Sequence, residues 1–281
     1  MKKWNLIVDV DRCNNCNNCL IATKDEYSGN DFPGYSAPQP DLGTLWLTVK
    51  RHERGQAPMI DVSHYVETCN HCDNPACITD KTRDAVYKRP DGIVMIDPVA
   101  AKGRKDIVGT CPYGQIFWNE DLQLPQKWTF DAHLLDNGWK EPRATQVCPT
   151  QAIRAVKQTD DEMAQIALDE GLAVLKPELG LAPRVYYRNF QRIETAFIGG
   201  TLHTIENGVD DCLEGAKVRL EKAEQPIAKT VSDAYGDFKF DGLPIDGAEY
   251  AIVVEQDGKR LAVRTVAMDG SVFLGSILVE R

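Results

Sequence analysis

Two runs of three closely spaced cysteines, each answered by a distant Cys-Pro pair, and a C-terminal third of short alternating apolar segments predict an α+β chain. The expected parts are a ferredoxin-like iron–sulfur region with pseudo-two-fold halves and a C-terminal antiparallel β-sandwich. The first run is Cys13, Cys16 and Cys19, and its distant partner is Cys148, followed by Pro149. The second is Cys69, Cys72 and Cys77, with Cys111-Pro112. Three plus one, twice over, is the wiring of a two-fold ferredoxin-like protein, in which a cysteine before proline serves the cluster of a distant run.

Iron prefers thiolate sulfur, and a [4Fe-4S] cubane needs four ligands. Steps of three residues fold a loop round one face of a cluster while the fourth thiol arrives from elsewhere. Proline after that thiol removes an N–H and fixes the turn. The ligand sets read this way are Cys13, Cys16, Cys19, Cys148 and Cys69, Cys72, Cys77, Cys111. Cys212 is left over and is expected to be a buried, unliganded thiol. Structural zinc is the rival, since two Cys-x2-Cys pairs often hold it. Drawing Cys13/Cys16 with Cys69/Cys72 in that way leaves Cys19, Cys77, Cys111 and Cys148 idle and neither Cys-Pro explained. His71, inside the second run, is read as a solvent-facing or hydrogen-bonded neighbour of the metal. Where the full bacterial run has a fourth cysteine, this chain has Thr23 and Lys81, and Ala101, Arg104 and Ile107 stand upstream of Cys111. Two further ligand sets are therefore missing.

A chain of 281 residues buries a proper core and is long enough for more than one domain. With 32 Lys+Arg against 42 Asp+Glu, the formal net charge is −10, which argues against the basic face that non-specific nucleic-acid binding requires. The N-terminus lacks an apolar stretch long enough for a signal peptide, and no segment approaches a membrane span. A soluble protein in a reduced, cytoplasmic compartment is expected, although a partner with its own export signal would carry the folded chain across a membrane. There is no Ser-His-Asp pattern, paired-carboxylate signature, dinucleotide loop or phosphate loop, so no active site of its own is expected.

In chain order, residues 4–11 alternate (Leu6, Val8, Val10) and read as a strand delivering the first run. Residues 20–26 read as a short helix, 28–43 as a loop excursion rich in Gly and Pro, and 44–51 as a strand. Residues 92–97 form a short apolar strand. Each Cys-Pro then leads through a turn into a β-prone segment, 115–118 and 151–156, an internal repeat. Residues 159–172 read as a helix capped by Thr159 or Asp160, with Glu162 available to the cap and Met163, Ile166, Ala167 and Ala164 on its apolar side. A strand is expected at 184–188. From Gly199 the character changes to short strands around Val218/Leu220, Phe238/Phe240, 250–254, 261–266 and 273–279, separated by turns such as Gly236-Asp237, Asp257-Gly258 and Asp269-Gly270. The expected domains are 1–198, including a helix and connector at 158–198, and 199–281.

With those residues placed, the chain resembles the iron–sulfur small subunits of molybdopterin-dependent oxidoreductases, above all the pyrogallol–phloroglucinol transhydroxylase type. The resemblance runs through Val8-Asp9-Val10-Asp11, residues 46–55 and 91–98, Cys111-Pro112-Tyr113-Gly114, Ala132-His133-Leu134-Leu135 and Lys176-Pro177-Glu178-Leu179-Gly180. It continues into the sandwich at 214–218 and 236–240. The resemblance implies two [4Fe-4S] clusters in this chain and a large catalytic subunit carrying molybdenum or tungsten on two pterin guanine dinucleotides, acting on polyhydroxylated benzenes. It also implies a third ligand set whose counterparts here are Thr23, Trp128, Asp131 and Ala144, all non-ligands, so that cluster is expected to be absent. The remaining pair is then expected to serve a structural, redox-buffering or short-range electron-exchange role. Two other readings remain open: an electron-transfer subunit of a different molybdopterin oxidoreductase, and a metal-stapled interaction protein without a large partner.

Overall fold

The computed structural model describes residues 1–256 and 259–280; the Asp257-Gly258 turn lies outside them. These residues divide into two compact units, Met1–Arg51 with His64–Phe190, and His52–Ser63 with Gln191–Arg281. No helix among the described residues is long and apolar enough to cross a membrane.

The first unit contains β1 (Lys3–Asp9), α1 (Asn18–Tyr27), and parts of β2 (Leu47–Gln56) and β3 (Met59–Thr68), which pair as a hairpin. Three short pieces of sheet and helix follow: β4 (Val86–Lys88) with β5 (Val94–Ile96), β6 (Phe117–Asn119) with β7 (Leu124–Gln126), then α2 (Ala132–Asp136) and α3 (Arg143–Gln146). β8 (Ile153–Gln158), α4 (Asp160–Asp169) and β9 (Val185–Arg188) complete it. β1 is the centre strand, antiparallel to β8 and parallel to β9. Covered by a neighbour on each side and buried from Trp4 to Val8, it places even Asn5 inside, where Asn5 Oδ1 accepts from Arg184 Nη1 at 2.9 Å. That bond satisfies a side chain which would otherwise incur a desolvation penalty. A second apolar cluster of Val86, Val94, Ile96, Ile107, Ile116 and Leu124 has Cys77 and Cys111 packed against it.

The capping box of α4 forms as its sequence requires. Thr159 Oγ1 accepts from the Glu162 N–H at 3.2 Å, and Glu162 Oε2 accepts from the Thr159 N–H at 2.9 Å. The apolar side is narrower than its spacing suggests: Met163 is buried, Ile166 and Ala167 are half-buried, and Ala164 and Leu168 are exposed. With little burial to hold it, this helix depends on its cap. Replacing Thr159 with Ala is expected to cost about 1 kcal/mol, read as roughly fivefold faster hydrogen exchange of the α4 amides.

The second unit holds β10 (Ala196–Glu206), β11 (Val209–Cys212), β12 (Lys217–Lys222), β13 (Gln225–Val231), β14 (Asp237–Leu243), β15 (Glu249–Gln256), β16 (Lys259–Ala267) and β17 (Val272–Leu278). They make two four-stranded sheets, one of β11, β10, β14 and β17, the other in the order β13-β12-β15-β16. Ile198, Leu202, Phe238, Phe240 and Ile277 of the first sheet share one core with Val218, Leu220, Tyr250, Ile252 and Val254 of the second. The sandwich expected to be antiparallel has one parallel pair, β10 with β17. β17 returns to the sheet that β10 began only after the chain has crossed the other sheet, and it enters alongside β10 in the same direction. The sequence places the change of character at Gly199, but β10 begins at Ala196. Gly199 and Gly200 lie inside that strand because a Cβ on Gly199 would sit 2.2 Å from Met59 Sδ.

Candidate metal centres

Both cysteine runs begin with the same backbone device. The residue before the second cysteine, Asn15 (φ 58°) in one and His71 (φ 44°) in the other, is left-handed. Asn and His are among the non-glycine residues enriched in that region. The first run leaves β1 with the Cys13 N–H donating to the Asp9 carbonyl at 3.2 Å, and it ends with Cys19 in the first turn of α1. The second run is clamped by the segment before β9: Asp73 N–H donates to Ala182 O at 2.8 Å, Asn74 N–H to Leu181 O at 3.1 Å, and Arg184 N–H to Asn70 O at 2.8 Å. The buried Arg184 guanidinium reinforces this clamp by pairing with Asp73 and with Asp160.

The repeat at the Cys-Pro pairs is structural as well. The Cys111 carbonyl accepts from the Gly114 N–H at 3.0 Å and the Cys148 carbonyl from the Gln151 N–H at 3.1 Å. Gly114 (φ 68°) and Gln151 (φ 54°) both turn left-handed. These turns deliver each distant thiol to its run. Cys13, Cys16, Cys19 and Cys148 line one hollow. Cys69, Cys72, Cys77 and Cys111 line another. All eight are free thiols. Among the described residues, no three His, Cys, Asp or Glu side chains converge to hold a single metal ion. The four thiols of each set face one shared hollow, as ligands of a single centre must.

Cys212 is exposed, not buried as its residue type suggests. All four residues of β11 are exposed, so its thiol has no core to enter.

Burial pushes the Cys19, Cys72 and Cys77 thiols up to about 12, and the neighbouring cysteines add to the effect. Burial also raises Cys13 and Cys111. Four cysteine sulfurs facing one hollow are the ligand set that a [4Fe-4S] cluster takes, so the all-cysteine donor sets fit one cluster each.

His71 is buried rather than solvent-facing. Its Nδ1 accepts from the Val94 N–H at 3.1 Å, and its Nε2 has no partner in the protein. Burial, then the charges of Lys127 and Lys88, hold its pKa well below the ordinary value; because Nδ1 accepts a hydrogen bond, the ring proton sits on Nε2. His71 lines the second hollow, where a cluster sulfur would receive that orphan donor. Lys127 lines the same hollow from a buried position and donates to the carbonyls of Val94 and Trp128. Sequence reasoning misses it, because a single lysine between Gln126 and Trp128 carries no local signal.

The four counterparts of the third set, Thr23, Trp128, Asp131 and Ala144, are all buried. Asp131 gives both carboxylate oxygens to protein donors: Oδ1 accepts from Tyr27 Oη at 2.8 Å and Trp128 Nε1 at 2.9 Å, and Oδ2 from the Arg143 N–H at 2.8 Å. Burial raises its pKa, and these donors pull it back. Thr23 Oγ1 donates to the Cys19 carbonyl at 2.9 Å.

The family model of a 4Fe-4S dicluster domain matches residues 60–158, which include five of the eight thiols. The pyrogallol hydroxytransferase small subunit of Pelobacter acidigallici is 41% identical over 99% of this chain and 99% of its own length. The chain belongs to that small-subunit family. It is an iron–sulfur small subunit related to those of molybdenum or tungsten oxidoreductase complexes of the pyrogallol-transhydroxylase type, and is non-catalytic by that relationship. More distant similarity extends to a tetrathionate reductase subunit of Salmonella typhimurium, 30% identical over 66% of this chain and 72% of that one. The beta subunit of dimethylsulfide dehydrogenase of Rhodovulum sulfidophilum is 33% identical over 53% of this chain and 46% of its own. Neither of these alignments extends over the full chain, whereas the Pelobacter alignment does.

Proposed function

We propose that this chain holds two [4Fe-4S] clusters, one on Cys13, Cys16, Cys19 and Cys148 and the other on Cys69, Cys72, Cys77 and Cys111. Its partner in this reading is a large catalytic subunit that binds molybdenum or tungsten on two pterin guanine dinucleotides and acts on polyhydroxylated benzenes. The observation that carries the reading is that each set of four thiols lines a single hollow. The near full-length match to a pyrogallol hydroxytransferase small subunit supports the substrate class. The cluster domain is the unit of Met1–Arg51 with His64–Phe190, and the sandwich domain is the unit of His52–Ser63 with Gln191–Arg281. The complex works in the cytoplasm, where thiols stay reduced.

When bound, the clusters accept and release single electrons. The protein's part is to supply four thiolates to each, fix their turns through the paired left-handed residues, clamp the second run through Arg184, and line its hollow with Lys127 and His71. With the third set replaced by packed side chains, the pair serves structural integrity, redox buffering or short-range exchange with the large subunit.

The test is an iron and acid-labile sulfide count on the anaerobically purified native complex, with the co-purifying subunit identified by mass spectrometry. About eight iron and eight sulfide per chain are expected, together with a pterin-bearing partner. Zinc in place of iron, or no large partner, would refute the reading. A partner of the tetrathionate or dimethylsulfide type would keep the clusters but replace the aromatic substrate.

A further inference from the structure

The two thiol hollows differ in electrostatic surroundings. Lys127, His71 and Val94 line the second, and Lys88 Nζ donates to the Cys72 carbonyl at 2.7 Å beside it. Among the described residues lining the first are Asn14, Asn17, Val49 and Thr150, with no Lys, Arg or His. Arg12 precedes Cys13 in the chain but is exposed and does not line that hollow.

A buried ammonium is held at a fixed distance by its two carbonyl acceptors, and the low local dielectric screens it weakly. Reduction adds one negative charge to a cluster. A fixed positive charge and N–H donors directed at sulfur stabilise that charge and raise the potential, two of the means by which a protein sets cluster potentials. We infer that Lys127, together with the Nε2–H of His71, sets the potential of the Cys69/Cys72/Cys77/Cys111 cluster and leaves the other cluster untouched. Lys127 and the four thiols line the same hollow, so its charge faces the second cluster's ligands directly. The consequence is two independently poised centres in one small subunit, with the second tuned to retain an electron.

This inference rests on the cluster assignment above, and the iron count on the wild-type complex tests that assignment separately. The experiment is an anaerobic dithionite titration of the assembled complex, followed by EPR, with Lys127→Gln, Lys127→Arg and wild type. Gln keeps two N–H donors for Val94 O and Trp128 O but drops the charge; Arg keeps the charge. In Lys127→Gln, the ratio of reduced to oxidised second cluster at the wild-type midpoint is expected to fall about tenfold, a shift of about 59 mV for one electron. The first cluster's wave should stay in place, and Arg should restore most of the shift. The second cluster's wave is recognised as the one that persists when Cys148 is replaced by Ala. An unmoved second wave, or movement of the first, overturns the inference. If Lys127→Gln fails to assemble, pulsed EPR on wild type grown with 15N-histidine decides. A nitrogen coupling from His71 on the second cluster alone supports the assignment, and its absence overturns it.

Discussion

Replacing Cys148 with Ala is expected to leave about four iron and four sulfide per chain in place of about eight, with the second cluster's EPR signal intact. The selectivity follows from how Cys148 is delivered. β8 is registered on β1 with Val8 opposite Ile153, and the Asp9 N–H donates to the Ala152 carbonyl at 2.7 Å. Those backbone bonds hold the Cys148 turn near Cys13 whether or not a cluster is present. Removing the thiol therefore deletes a ligand without releasing the segment that carried it. The second set is held by other parts of the chain, namely the 181–184 segment and the apolar cluster under Cys77 and Cys111. Loss of both clusters in the variant would mean that the two halves assemble as one unit. Retention of about eight iron would mean that Cys148 is not a ligand.

The candidate ligand sets are legible in the sequence because the information is local: three-residue steps within a run, and proline after each distant thiol. What the spacing does not carry is the surroundings of each set. Lys127 reaches the second hollow from the end of β7, far in sequence from Cys69, and only the fold brings it there. The sequence leaves His71 either solvent-facing or hydrogen-bonded; in the structure it is hydrogen-bonded to Val94, and the aromatic pair Trp128 and Phe130 encloses it. The hairpin strand β3 escapes sequence reading for a related reason. Its Asp61 looks like a loop residue, but it pairs with the buried Arg54 at 2.7 Å, and Arg54 also binds Asp241 at 2.7 Å. Polar residues that satisfy one another inside a sheet erase the alternation by which a strand is recognised.

Replacing Trp128 with Ala is expected to lower the opening free energy of the surrounding helices by about 3–5 kcal/mol, the cost of a large void in a packed interior. The indole is fully buried, its ring centre lies 4.8 Å from Phe130 and 5.9 Å from His71, and its N–H is bound by Asp131. Asp131→Asn keeps the volume but presents an N–H to one of the three donors that now point at the carboxylate, at a cost of about 1–3 kcal/mol. Because Trp128 and Asp131 share a hydrogen bond, the double variant should lose less than the sum of the two, with a coupling of about 0.5–3 kcal/mol. Native-state hydrogen exchange at the Tyr27 amide and its neighbours in α1 reads all three values, since Tyr27 donates to the same carboxylate. The iron count should remain at about eight in each, because neither residue belongs to a thiol set. Additive losses would show that the indole and the carboxylate act separately. Sub-additive losses with unchanged iron would show that a single packed unit of aromatic ring, carboxylate and tyrosine now occupies the place that the family resemblance assigns to a third cluster.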